Sequence, residues 1–159
     1  MLRMAHEDCN DRIVITGSDH AGFEAKSHVI DYLDHRGFSV LDLGTHSSDP
    51  VDYPDYGVAV AKAVTERKNA TGIIICGTGI GISIAANKVK GARAALCTTP
   101  FHAEMARKHN DANILAMGAR TSTVSEMEAI MDTWFATSFE GGRHQKRVNK
   151  IHELTENIR

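Results

Sequence analysis

Cys76 stands where a short apolar run, Ile73 to Cys76, meets a glycine-spaced turn, Gly77-Thr78-Gly79-Ile80-Gly81. A thiol at such a junction can serve as a proton-transfer base or a nucleophile. Glycines at alternate positions leave the backbone uncrowded. Its N–H groups can then converge on one point ahead of a helix, an arrangement that favours an anion. A small-residue helix candidate follows, Ser83 to Lys88. The pattern is neither the Walker nor the dinucleotide fingerprint: Lys88 comes too late for the first, and the third glycine one residue early for the second. Glycine turns of this kind also serve packing alone, and a lone cysteine also suits a small buried position. The remaining polar residues therefore decide.

Asp19 and His20 follow the first apolar run and could touch a polar ligand, although an Asp there also caps a helix. His109, with Asn110 and Asp111, closes a later helix. The helix dipole alone explains a His there, but imidazole is also the usual acid–base group near neutral pH. Arg143, His144, Lys146 and Arg147 begin the last helix, where the dipole disfavours positive charge. Arg143 and Arg147 are four apart and share a face, so they also repel one another. An anion between the guanidinium groups relieves both penalties, and the Arg fork suits phosphate. Arg120, after the fifth strand, could join them. No metal is expected: the nine histidines form no helical pair four apart with a carboxylate, and the cysteines are not paired.

These residues need a scaffold. Strands are expected at Arg12–Gly17, Ser39–Leu43, up to Cys76, Arg93–Cys97 and Asn113–Met117. Helices are expected on a stripe of Phe23, Ile30 and Leu33 with Val29 beside it, from Pro54, over Pro100–His109, and from Thr123 through a Thr123/Glu126 capping box. That box opens an apolar side of Val124, Met127, Ile130, Met131 and Trp134. The last helix runs from Arg143 to about Glu156 with Val148, Ile151 and Leu154. Five strand–helix repeats imply a doubly wound parallel sheet with helices on both faces. Ligands of such sheets bind beyond the strands' carboxyl ends, where Asp19, Cys76 and Arg120 fall.

Composition adds limits. The chain has 159 residues, 42% hydrophobic and 24% charged, with a net charge of −2. That suits one soluble domain and gives no basic field for nucleic acid. Three scattered cysteines argue against a disulfide scaffold and fit the reducing cytoplasm. No apolar run approaches membrane-spanning length. Residues 1–11, polar and of both charge signs, read as a flexible tail that is no secretory signal, leaving 12–159 as the domain.

The segments GSDHAGFEAK, DYPDYG, ICGTGIGISIAANK, RAAL, HNDANILAMGAR and GGRHQKRV together resemble ribose-5-phosphate isomerase type B, a family that includes galactose-6-phosphate isomerase subunits. The resemblance implies a Rossmann-like homodimer or dimer of dimers, and cofactor-free, metal-independent interconversion of ribose 5-phosphate and ribulose 5-phosphate. Cys76 then moves the proton between C1 and C2 through an enediolate, with the Thr78 hydroxyl nearby. His109 helps open the furanose ring. Asp19, His20, Asn110 and the turn Gly77, Gly79, Ile80 and Gly81 hold the sugar. Arg120, Arg143 and Arg147 hold the phosphate, the last two from the other subunit, with His144 in their cluster. One branch of the family has a glutamate base where this chain has Ile82, so the resemblance is to the cysteine branch. The galactose-6-phosphate subunits lack the counterparts of His109 and of the arginine cluster.

Overall fold

The computed structural model describes residues 12–156; the expected tail, 1–11, lies outside them. Eleven elements follow one another: β1 Ile13–Ser18, α1 Phe23–Asp34, β2 Ser39–Asp42, α2 Tyr53–Thr65, β3 Ala70–Cys76, α3 Ile80–Ala86, β4 Ala94–Leu96, α4 Pro100–Asn110, β5 Ile114–Gly118, α5 Val124–Ala136 and α6 Arg143–Thr155. The strands form one parallel sheet in the order β2-β1-β3-β5-β4.

The strands read as continuous apolar runs because both faces of the sheet are covered. Val14, Ile73, Ile75, Leu115 and Met117 pack against Val29 and Leu33 of α1, Ala103 and Ala106 of α4, and Met127, Ile130, Met131 and Trp134 of α5. On the other face Ile15, Ile74, Ile114 and Ala116 meet Val60, Ala61 and Val64 of α2 and Ile82 and Ala86 of α3. Each such side chain, once buried, stabilises the fold by roughly 1.5–3 kcal/mol. The chain leaves β1 outward to β2, then crosses back to β3. The strand order thus reverses between β1 and β3, which opens a crevice at their carboxyl ends.

Most local signals operate as the sequence suggests. Thr123 accepts the Glu126 N–H at 3.2 Å, and the Glu126 carboxylate accepts the Thr123 N–H at 2.7 Å. Thr99 caps α4 through the His102 N–H, with Pro100 in the first turn. Four details differ. The helix after the glycine turn begins at Ile80, because Gly79 itself adopts the left-handed conformation (φ 76°) that starts it. The buried stripe of α1 is Lys26, Val29 and Leu33, with Phe23 and Ile30 only half-buried. Lys26 tolerates burial because its ammonium pairs with Asp42 at the end of β2. Val124 is exposed, as its side chain lies on the first turn beyond the edge of the α5 packing face. Ile151 and Leu154 are exposed as well: among the described residues, α6 is buried only at His144 and Val148.

Candidate active site

At the carboxyl end of the sheet, here called the upper rim, three strand ends converge. Asp19, buried, donates its N–H to Ile75 O of β3 at 3.3 Å and accepts the Gly22 N–H on Oδ1 at 3.0 Å. The close approach of α1 to β3 requires Gly22, since a Cβ there would lie 2.5 Å from Ile75 O. His20 Nδ1 lies 3.1 Å from both the backbone N and O of Val51, which ties the β1 loop to the 43–52 connection. Cys76 Sγ accepts the Gly79 N–H at 3.1 Å and is almost fully buried. Thr78 is exposed and its hydroxyl accepts the Ile80 N–H at 3.2 Å. A side chain at Gly79 would strike Leu96 and the Met117 backbone at 2.5–2.8 Å, and left-handed φ would strain it besides.

Beyond the paired strands, Ala119 N–H donates to Cys76 O and Arg120 N–H to Gly77 O, at 2.9 and 2.8 Å. The Arg120 guanidinium consequently lies over Gly77, within 3.0 Å of where a Cβ would be. A further residue, Tyr53, packs its ring on Gly81, where a Cβ would come within 2.6 Å. Its residue type alone gave no functional signal; only its place in the DYPDYG segment, ahead of Pro54, set it apart.

The other candidates lie elsewhere. Helix α4 returns from the upper end of β4 to the lower end of β5, so His109 and Asn110 are at the opposite, lower rim. Arg93, just below β4, donates to Asn110 O and Asp111 O at 3.2 Å and fixes that helix end. Asp111 turns the chain in left-handed conformation (φ 43°). The α5–α6 connection is pinned there by a Glu140 N–H to Lys108 O bond of 3.1 Å. His109 and His144 then stack, with ring centroids 4.2 Å apart and planes 14° from parallel. Burial, and then the neighbouring His109 and Arg143, hold the His144 imidazole below its ordinary pKa, against the opposing pull of Glu140. Arg143 and Arg147 are exposed on the first turns of α6, whose N-cap is Gly142 without a side-chain cap. The His144 and Gln145 N–H groups turn back to Gly141 O and Gly142 O, at 3.0 and 3.2 Å, so the two exposed guanidinium groups are what this helix start offers an anion.

The candidates therefore form two groups. Asp19, His20, Cys76–Gly81 and Arg120 meet at the upper rim; His109, Asn110, Arg143, His144 and Arg147 meet at the lower. Cys76 is level with Gly118, whereas the foot of β5 at Ile114 is level with Gly72. At ~3.3 Å per residue the two levels are about 13 Å apart. Among the described residues, one set of potential metal donors also lies at the lower rim: His109, Glu140 and His144. Glu140 was not singled out by sequence, since its partner His109 is distant along the chain.

Fold and upper rim define a doubly wound α/β protein whose switch point gathers polar side chains beside a buried thiol and a glycine turn. The chain belongs to the ribose/galactose isomerase family, whose sequence profile matches residues 14–151. It is 48% identical over 135 residues to ribose-5-phosphate isomerase B of Escherichia coli, an alignment covering 85% of this chain and 91% of that protein. Its fold is similar to ribose-5-phosphate isomerase B of Clostridium thermocellum, with a TM-score of 0.90 at 50% identity, covering 92% of this chain and 99% of that one. It is likewise similar to the Mycoplasma genitalium enzyme with bound ribulose-5-phosphate, with a TM-score of 0.88 at 40% identity, covering 92% and 97%. No helix among the described residues is long and apolar enough to cross a membrane.

Proposed function

We propose that this protein interconverts ribose 5-phosphate and ribulose 5-phosphate, without a metal, through an enediolate. The observation that carries the reading is the Gly79 N–H aimed at Cys76 Sγ at 3.1 Å, at the rim where Asp19, His20 and Arg120 also fall. The Cys76 sulfur takes the C2 proton of the open-chain aldose and returns it to C1, while the O2 proton passes to O1, so that C2 becomes the carbonyl. The oxygen that gains negative charge is met by the turn's N–H groups and the Thr78 hydroxyl. Arg120, lying over Gly77, holds the sugar chain's anionic end so that the reacting carbons stay above the sulfur.

The lower rim supplies what the upper lacks, and it does so from a second copy. His109 acts on the ring oxygen to open the furanose; Asn110 binds the sugar; Arg143 and Arg147, with His144 in their cluster, clamp the phosphate. Two observations support a shared site. The two rims are too far apart in one chain to touch one small sugar. Each rim also carries uncovered apolar side chains, Ile80, Ile84 and Phe101 above and Ile151 and Leu154 on α6. A twofold dimer that sets each upper rim against its partner's lower rim covers both and makes two equal sites. His109 and the arginine cluster favour the pentose phosphate over galactose 6-phosphate.

The test is turnover of ribose 5-phosphate by purified protein with a chelator present, and of galactose 6-phosphate in parallel. The reading expects ribulose 5-phosphate to form at a rate the chelator does not lower. Turnover of the six-carbon substrate alone would move the assignment to the other branch of the family.

A further inference from the structure

At the lower rim, Glu140 has no part in the proposed isomerisation, yet it stands beside His109 and His144. His144 Nε2 is buried and has no hydrogen-bond partner among the described residues. An unpartnered buried imidazole nitrogen is unfavourable and marks a place where a partner belongs. Glu140 Oε2 stands 3.6 Å from it, just beyond hydrogen-bonding distance. A ring nitrogen of His109 completes the set: one donor atom from each of the three side chains lies within 4.8 Å of the others.

We propose that His109, Glu140 and His144 bind a divalent transition-metal ion of the zinc or cobalt kind, and that this ion and the sugar phosphate exclude one another. Two imidazoles and one carboxylate form a donor set suited to such ions and leave a fourth position open. With metal–ligand bonds of about 2.0–2.1 Å in a tetrahedron, donor atoms stand roughly 3.3 Å apart. The three donors, within 4.8 Å of one another, therefore have to draw in by at most about 1.5 Å. The stacked rings, 4.2 Å between centroids, already lie side by side. Glu140 is about half exposed, and the two residues between it and α6 are glycines with open space around them. The carboxylate can thus swing without disturbing packing.

Charge sharpens the choice of ion. Arg143 and Arg147 flank the set and repel any cation, with Glu140 as the acidic group against them. A magnesium or calcium ion, held chiefly by charge and oxygen ligands, gains little here. A transition ion gains from the imidazole nitrogens whatever the surrounding field. Once bound, it occupies the His109 nitrogen that ring opening requires. The binding half of the inference stands alone; the exclusion half rests on the proposed isomerase reading.

Untagged full-length protein titrated with cobalt(II) tests both halves through the visible absorption band of four-coordinate cobalt. The band should saturate, zinc should abolish it, and Glu140→Gln and His144→Ala should each weaken cobalt binding at least about tenfold. Saturating ribose 5-phosphate should raise the cobalt midpoint by a similar factor. Glu140 is at the surface, so its variant stays informative if the His144 variant fails to fold. Absence of the band at millimolar cobalt, or an unchanged midpoint in Glu140→Gln, would overturn the site. A midpoint indifferent to sugar phosphate would overturn the exclusion. The band is read without turnover: a protein active when metal-free that lacks the band with cobalt refutes the metal site, and one that shows the band with cobalt but is inactive when metal-free refutes the isomerase reading.

Discussion

At the upper rim the groups that would act on a ligand are set by backbone; at the lower rim they are set by side chains meeting from distant elements. Cys76 and Gly77 are fixed by main-chain bonds to the residues just past β5, and Gly79 by contacts that leave no room for a Cβ. His109, Glu140 and His144 are held by a ring stack, one backbone bond and the end of a helix. The first arrangement is rigid and pre-aimed, as expected of groups that meet charge developing in a transition state. The second sets exposed Arg143 and Arg147 beside the buried His144 and the half-exposed Glu140, as expected of a clamp whose charged ends adjust to an anion. The two rims should therefore fail differently when altered.

The largest effect falls on the upper rim. Cys76→Ala should lower turnover by about 10³-fold or more, since it removes the proton-transfer group, while the melting temperature stays close to that of the parent. Steady-state rates and a thermal melt on the same sample check this; an active variant would remove Cys76 from the chemistry.

A smaller effect of a different kind is expected below. Arg147→Ala should raise KM by about 10- to 100-fold, the range set by hydrogen bonds to charged groups, with a lesser fall in kcat. Phosphate contacts exist in both ground and transition states, so their loss acts mainly on binding. A large drop in kcat at unchanged KM would place Arg147 in the chemical step.

The smallest effect contrasts two buried thiols. Burial alone pushes Cys97 up to about 12, and its Sγ faces only the Ala95 carbonyl, at 3.7 Å. Its thiolate is scarce at any pH below that value. Alkylation of Cys97 in the folded protein should therefore stay slow between pH 7 and 9 and become fast on unfolding, as peptide mass spectrometry would show. Rapid native labelling would mean that the sulfur is not sealed as described.

The upper rim was largely legible in the sequence, because strand, glycine turn and helix there are consecutive and their signals local. The five-strand order of elements was legible for the same reason. What escaped had non-local causes. Ile80 begins α3 after a left-handed Gly79, and the contacts with Leu96 and Met117 that leave no room for a side chain there come from other strands, which no local pattern reports. Lys26 is buried because Asp42 lies one strand away. Tyr53 enters the site only through its contact with Gly81. His109 looked like a neighbour of Cys76 in function, yet the return of α4 puts it at the other end of the sheet. Ile151 and Leu154 fall on the apolar side of α6 by helical spacing, yet none of the described residues covers them.

The central claim is that one working site takes its upper rim from one chain and its lower rim from another. Cys76→Ala and His109→Ala proteins, each inactive alone, can be mixed under conditions that allow subunit exchange. In a twofold dimer a mixed pair has one site with both defects and one with neither. Random exchange should then restore about a quarter of the parent activity, from half the dimers carrying one intact site each. A mixture that stays as inactive as its parts after proven exchange would contradict the shared site.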